Sequence, residues 1–231
     1  MRLLRDLAFL AMLVAGLYVV RTYVTDDDAP AAAPSSSQTA SSPAATTTVH
    51  RAVRMLAVAP EDRRPYTRSL FGEGWADLDG DCRDTRAEVL ARESLVPVAA
   101  GCRVFRGRWL SYYDDRTWTR SFQVQIDHLV PLAEAWDSGA FAWSAPKRLQ
   151  YANDLGDSRT LVPTTTALNY AKLADDPAAY VPRVNACRYV ASWVAVKLRW
   201  GLTVDRREHD AIAKVVASCP DTTLEIRRAR S

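Results

Sequence analysis

The chain has 231 residues, 48% of them hydrophobic and 25% charged, with a formal net charge of +3. That composition excludes collagen-like, wholly disordered and multi-span membrane chains. The slight basic excess permits nucleic-acid binding without arguing for it, and three histidines in unlike contexts (His50, His128, His209) argue against a metal site built on three His ligands.

At the amino end, Arg2 and Arg5 precede an apolar stretch from Leu7 to Val20, closed by Arg21. A basic end followed by a short apolar run is the pattern of an export signal. The run is shorter than the roughly 20 residues that span a bilayer as a helix, although Thr22–Val24 extend it if Arg21 snorkels. Residues 1–25 are therefore expected to be a signal peptide or an N-terminal membrane anchor, and either one carries the remainder out of the cytoplasm. Residues Pro30–Thr48 are Ala, Pro, Ser, Thr and one Gln, with no apolar period. This predicts an extended linker over 26–60, with the folded unit beginning between Val49 and Pro65. One domain, 61–222, is long enough to bury a core. Arg227, Arg228 and Arg230 make 223–231 a basic tail.

Within the domain, Thr85 with Glu88 is a capping box that predicts a helix over Thr85–Arg92. Strand-like runs follow at Arg103–Phe105, Trp109–Tyr113 and Phe122–Ile126. A helix is expected around Leu132–Trp136, and Ser144 caps another through Ala152 with Pro146 in its first turn. Leu161–Val162 is a brief extended piece ended by Pro163. Thr164–Thr166 then leads into a helix carrying Asn169 and Lys172. From Val184 to Leu198 the apolar residues repeat with helical period, and Asp205 caps a last helix to Ser218. The short connection through Gly201 folds these two helices back on each other, which levels Cys187 with Cys219. An even cysteine count in an exported domain predicts disulfides. Of three possible pairings, Cys82–Cys102 with Cys187–Cys219 is favoured. No Cys-x-x-Cys spacing supports zinc. The expected fold class is α+β, dominated by helices and stapled by disulfides.

The chemistry concentrates at Asp127-His128, at the end of a strand where Pro131 stops further pairing. A carboxylate there suits a hard divalent cation, and an imidazole with a pKa near neutrality takes a proton from water. Asn169 adds a neutral oxygen ligand from a helix, with Lys172 one turn on. Asp77, Asp79 and Asp81 around Gly80 resemble a calcium loop only loosely. His50 and His209 are expected to be solvated, and the seven tryptophans to be core.

The run Asp127-His128-Leu129-Val130-Pro131-Leu132, with Ala135-Trp136, Trp143, Arg148, Tyr151-Ala152-Asn153-Asp154, Leu161, Asn169, Lys172 and Asp176-Pro177, resembles the HNH (ββα-metal) endonucleases. It is most similar to the secreted HNH family related to the GmrSD C-terminal domain. Tyr66, Phe71, Trp75, Asp77, Cys82 and Thr85-Arg86 resemble that family's amino-terminal half. The resemblance implies an exported phosphodiester hydrolase acting as a monomer on DNA or RNA. It implies His128 as general base, and one divalent cation held by Asp127 and Asn169, Mg²⁺ foremost, with Mn²⁺, Ca²⁺ or Zn²⁺ as alternatives. Asn153 and Arg148 are implied to support catalysis, and Lys172 and Arg148 to touch phosphate. Thr160 stands where the family has Asn, which keeps open the alternative of a catalytically silent extracytoplasmic binding module on an HNH scaffold.

Overall fold

The structure, a computed structural model, describes residues 44–229. The expected signal or anchor over 1–25 lies outside the described residues. Among the described residues, no helix is long and apolar enough to cross a membrane.

The fold mixes helices with three two-stranded antiparallel sheets. In chain order the elements are β1 (Ala45–Thr48), α1 (Val49–Arg54), α2 (Thr85–Arg92), β2 (Arg106–Leu110), β3 (Thr117–Arg120), β4 (Val124–His128), α3 (Leu132–Asp137) and α4 (Ala145–Ala152). Then come β5 (Leu161–Thr165), α5 (Thr166–Lys172), α6 (Ala186–Trp200), α7 (Arg206–Val216) and β6 (Thr223–Ile226). The sheets pair β1 with β6, β2 with β3, and β4 with β5.

Helix α6 is the spine. Its residues Tyr189, Val190, Trp193, Val194 and Val196 are buried, and α1, α7 and β6 pack around it. Gly201 (φ 67°) ends α6 in the left-handed conformation, and Leu202 N–H returns to the Lys197 carbonyl, a closure that a Cβ would strain. A smaller cluster of Val89, Leu90, Val104, Trp109, Val124, Ile126 and Leu161 joins α2 to the β4–β5 hairpin. Each fully buried aliphatic or aromatic side chain contributes about 1.5–3 kcal/mol. Both disulfides form as favoured from the sequence, with Cα–Cα distances of 5.1 Å for Cys82–Cys102 and 5.7 Å for Cys187–Cys219.

The boundaries of the folded unit differ from expectation at both ends. The segment 26–60 is not linker to its end. Ala45–Thr48 pairs in full register with Thr223–Ile226, and Val49, Ala52, Val53 and Leu56 enter the core. Those four positions have helical spacing, which the preceding Ala/Ser/Thr/Pro composition overshadowed. The expected tail 223–231 begins as β6, and the Arg227 carbonyl accepts from Arg199 Nη1 at 2.8 Å.

The strands also shift. Arg103–Phe105 is not a strand, the Trp109–Tyr113 strand moves to Arg106–Leu110, and Phe122 lies in a 3-10 turn ahead of β4. Pro163 does not end β5 but sits opposite Ile126. A two-stranded sheet leaves each strand an open edge where a missing N–H is tolerated. At α2 the cap is Asp84, not Thr85. Its carboxylate accepts from Ala87 N–H at 2.8 Å, while the Thr85 hydroxyl donates to the Ala76 carbonyl.

Candidate active site

Strand β4 alternates regularly to its end. Val124, Ile126 and His128 face the side covered by α2, and Gln125 and Asp127 face the other. Asp127 and His128 therefore leave the hairpin on opposite faces. The irregular strand geometry that would converge them does not occur, because Thr160 O accepts Leu129 N–H and extends the ladder's hold just past His128. Both residues nevertheless occupy the same hairpin end, adjacent Cα atoms lying about 3.8 Å apart.

On one face, the Asp127 Oδ2 atom receives the Tyr113 hydroxyl at 2.5 Å and the Lys172 ammonium at 2.9 Å. The Lys172 side chain is 0% exposed and that of Asp127 11%. Lys172 also donates to the His128 carbonyl at 3.1 Å. It thus locks the end of α5 to the end of β4. Burial and the neighbouring carboxylate push the Tyr113 phenol well above its usual range, so it stays a hydrogen-bond donor. Asn169 lies one turn before Lys172 on α5 and is half-buried.

On the other face, His128 is 5% exposed and stacks on Trp75 at 5.1 Å with an interplanar angle of 8°. Its Nε2 lies 2.8 Å from the Ala152 carbonyl. A carbonyl only accepts, so Nε2 carries the proton and Nδ1 holds the lone pair. Burial first, then the Arg68 and Lys172 charges, push the imidazole down to about 3 against the opposing Ala152 hydrogen bond. The ring is neutral at ordinary pH.

Arg148 and Lys172 do not stand where a phosphate contact requires. Arg148 donates to the carbonyls of Leu70 and Trp143 and lies over Trp136, joining the 3-10 turn Arg68–Phe71 to α4. Lys172 is wholly internal. Asn153 is buried, accepts from Ala76 N–H at 2.9 Å and donates to the Leu149 carbonyl at 3.0 Å. It therefore holds the segment that lays Trp75 on His128.

The roles of several contributors were not visible in the sequence. Tyr113 is one. Asp154 is another: it accepts from Arg199 through both carboxylate oxygens (2.7 and 2.8 Å), from Trp200 Nε1 at 2.9 Å, from Gly156 N–H and from the Thr160 hydroxyl at 2.9 Å. Thr160 thereby anchors the loop from Asn153 to β5 through its hydroxyl. Only the close spacing of Asp154 and Thr160 hinted at this, since Arg199 is remote in sequence.

Over residues 88–215, more than half of its length, the chain matches the family described as GmrSD restriction endonucleases, C-terminal domain. It belongs to that family. An uncharacterized secreted protein of Arthroderma benhamiae is 36% identical over 168 residues, covering 71% of this chain and 81% of the relative. No solved structure matches the chain. The part matching the GmrSD C-terminal domain runs from α2 into α7, so it contains Asp127, His128, Asn169 and Lys172 together with the β4–β5 hairpin and α5.

In this GmrSD-type domain Tyr113 and Lys172 both hold Asp127 through Oδ2; its other oxygen, Oδ1, and the Asn169 side-chain carbonyl are hard oxygen donors. Two acidic groupings lie elsewhere. Asp77, Asp79 and Asp81 are exposed, with Asp77 and Asp81 oxygens accepting from nearby backbone N–H groups. Glu61, Glu134 and Asp176 form the other, in which Glu134 already pairs with Lys197 at 2.5 Å.

Proposed function

We propose that the chain is an exported, divalent-cation-dependent endonuclease of the HNH type that hydrolyses phosphodiester bonds in DNA or RNA. Family membership supports the nuclease class. The observation that carries the finer reading is the Lys172–Asp127 pair, which packs the Asp127 face of the end of β4 against the helix bearing Asn169, while His128 leaves the same strand end by the opposite face. The donor set fits a Mg²⁺-like ion: Asp127 Oδ1 and the Asn169 amide oxygen would hold it, with water completing its shell. Such a cation, when bound, offsets charge on the nonbridging and leaving 3′ oxygens.

The chain's own residues supply the rest. The neutral His128 ring, oriented by Ala152, accepts a proton from water at Nδ1. Trp75 stacks on the His128 ring and Tyr151 lies 6.4 Å from it, so the imidazole is held in one orientation. Lys172 holds one Asp127 oxygen, so the other keeps a defined direction. The basic-apolar pattern of residues 1–25, the two disulfides and the secreted relative support an extracytoplasmic location.

Purified protein is expected to nick supercoiled plasmid with Mg²⁺ or Mn²⁺ and to stop in EDTA. His128→Ala should lower the rate roughly 10²-fold or more, the usual contribution of a general base. Equal nicking by that variant sinks the assignment. A silent binding module is the second reading, favoured by the burial of His128 and by the Lys172 ammonium already seated on Asp127. Nucleic-acid binding with no calorimetric uptake of Mg²⁺ or Mn²⁺ would establish it instead.

A further inference from the structure

The β2–β3 hairpin and the segments flanking it carry three features that folding alone does not favour. Phe105 and Phe122 are 66% and 76% exposed. Arg106 and Arg120 stand directly opposite each other in the β2–β3 ladder, a like-charge pairing that destabilises a sheet. Neither of them, nor Arg103, has an acidic partner within ion-pair distance among the described residues.

These residues line one groove. Two cavities of about 630 and 610 Å³ share a wall made of Arg103, Val104, Phe105 and Arg120. Phe122 and Arg86 close the second, and its one acidic neighbour, Asp84, already caps α2. Arg86 donates through Nη2 to the carbonyls of Ser121 and Val124, while its Nη1 is buried without a partner. The groove is thus lined by arginines together with the two exposed phenylalanines. Sites that violate local folding preferences without a folding gain are where function is sought.

We propose that this groove is an accessory binding surface for an unpaired nucleic-acid strand, with bases stacking on Phe105 and Phe122 and phosphates pairing with Arg103, Arg106 and Arg120. Aromatic faces interleaved with arginines bind single strands because every base has a π face. Phe122 lies two residues before the start of β4 and His128 ends that strand, so the groove lies at most roughly 20 Å along the chain from the hydrolytic end. A strand held there reaches the site without covering it. The inference rests on the nuclease reading only for its choice of nucleic acid as occupant.

The test is fluorescence anisotropy of the full chain in EDTA with short labelled oligothymidylate, oligouridylate and duplex DNA, alongside hydrolysis of a small chromogenic phosphodiester with Mg²⁺. Both single strands should bind more tightly than the duplex, and a preference between them names DNA or RNA as the natural strand. Phe105→Ala/Phe122→Ala should weaken single-strand binding roughly tenfold or more. Arg103→Gln/Arg120→Gln should lower the slope of log affinity against log salt by about 1.4, the release expected for two phosphate contacts on a single strand. All four positions are exposed or surface-lining, so these variants should keep the far-ultraviolet dichroism and the small-substrate hydrolysis of the parent. Unchanged single-strand affinity in both double variants overturns the proposal. So does equal displacement by polyglutamate with no effect of the phenylalanine changes, which would make the groove a site for acidic peptides. Absent hydrolysis with intact, groove-dependent strand binding would instead remove the nuclease reading and leave the groove standing.

Discussion

Lys172 and Asp127 form a pair whose two members are not equivalent. The lysine is fully buried and the aspartate retains some access to water. Removing the partner of a buried charge leaves that charge uncompensated at about 3–5 kcal/mol. Asp127→Ala strands the buried ammonium and should cost near that range. Lys172→Met leaves a carboxylate that water and Tyr113 still serve, and should cost distinctly less. Urea unfolding of both variants measures the difference, and equal losses would show that the pair is not asymmetric. Trp75 offers a second residue-level test. Its stacking contributes to the burial that holds His128 near 3, so Trp75→Ala should move the imidazole titration upward toward its ordinary 6.5, read from the ring proton shifts by NMR. An unmoved titration would place the burial elsewhere. Asp127 and His128 stood out as candidates in the sequence because both sit in one short motif. The inward roles of Lys172, Arg148 and Asn153 did not, because a polar side chain's partners lie on other elements and sequence spacing carries no information about them.

Two helix starts that are set locally came out where expected. Ser144 caps α4 and Asp205 caps α7 through side-chain oxygens that accept from backbone N–H groups three residues on. Such signals are complete within one turn. Strands fared worse, since each sheet here has only two members and a strand exists only where its partner happens to end. Phe122 keeps the alternation of Val124 and Ile126 yet falls outside β4, because Thr165 is the last residue of β5 and pairs with Val124. The disulfides test the elements directly. Cys187–Cys219 closes 32 residues and joins the first turn of α6 to the end of α7. Loop-closure entropy predicts roughly 3.7 kcal/mol for that loop and 3.3 kcal/mol for the 20 residues closed by Cys82–Cys102. Calorimetry of the Cys187→Ala/Cys219→Ala variant should therefore show the larger fall in Tm of the two double replacements. Losing Cys82–Cys102 should instead loosen α2 and the groove beside it.

At the scale of the whole molecule, two buried groups oppose each other as pH changes. His128 is held at about 3 in the folded chain against 6.5 when free. The unfolded chain therefore binds the extra proton between those values, and stability falls as pH drops through them. Glu208 shows the reverse. It lies in the core beside Lys197, Glu134 and the Trp193 indole, where burial pushes it up to about 8 from 4.5. The folded chain keeps that proton while the unfolded chain releases it, so stability falls as pH rises from about 4.5 to 8. Maximum stability is expected on the mildly acidic side of neutrality. Glu208→Gln should flatten the alkaline limb and His128→Phe the acidic one, both measured by denaturant midpoint across pH.

The β1–β6 ladder has a consequence of another kind. It lays the entry and exit of the folded unit side by side, with Val49 N–H on the Thr222 carbonyl as the closing stitch. Exopeptidases nibbling inward from either terminus meet the same clasp. Digestion should halt near Ala45, well before the Pro65 region, and the two ends should resist or yield together.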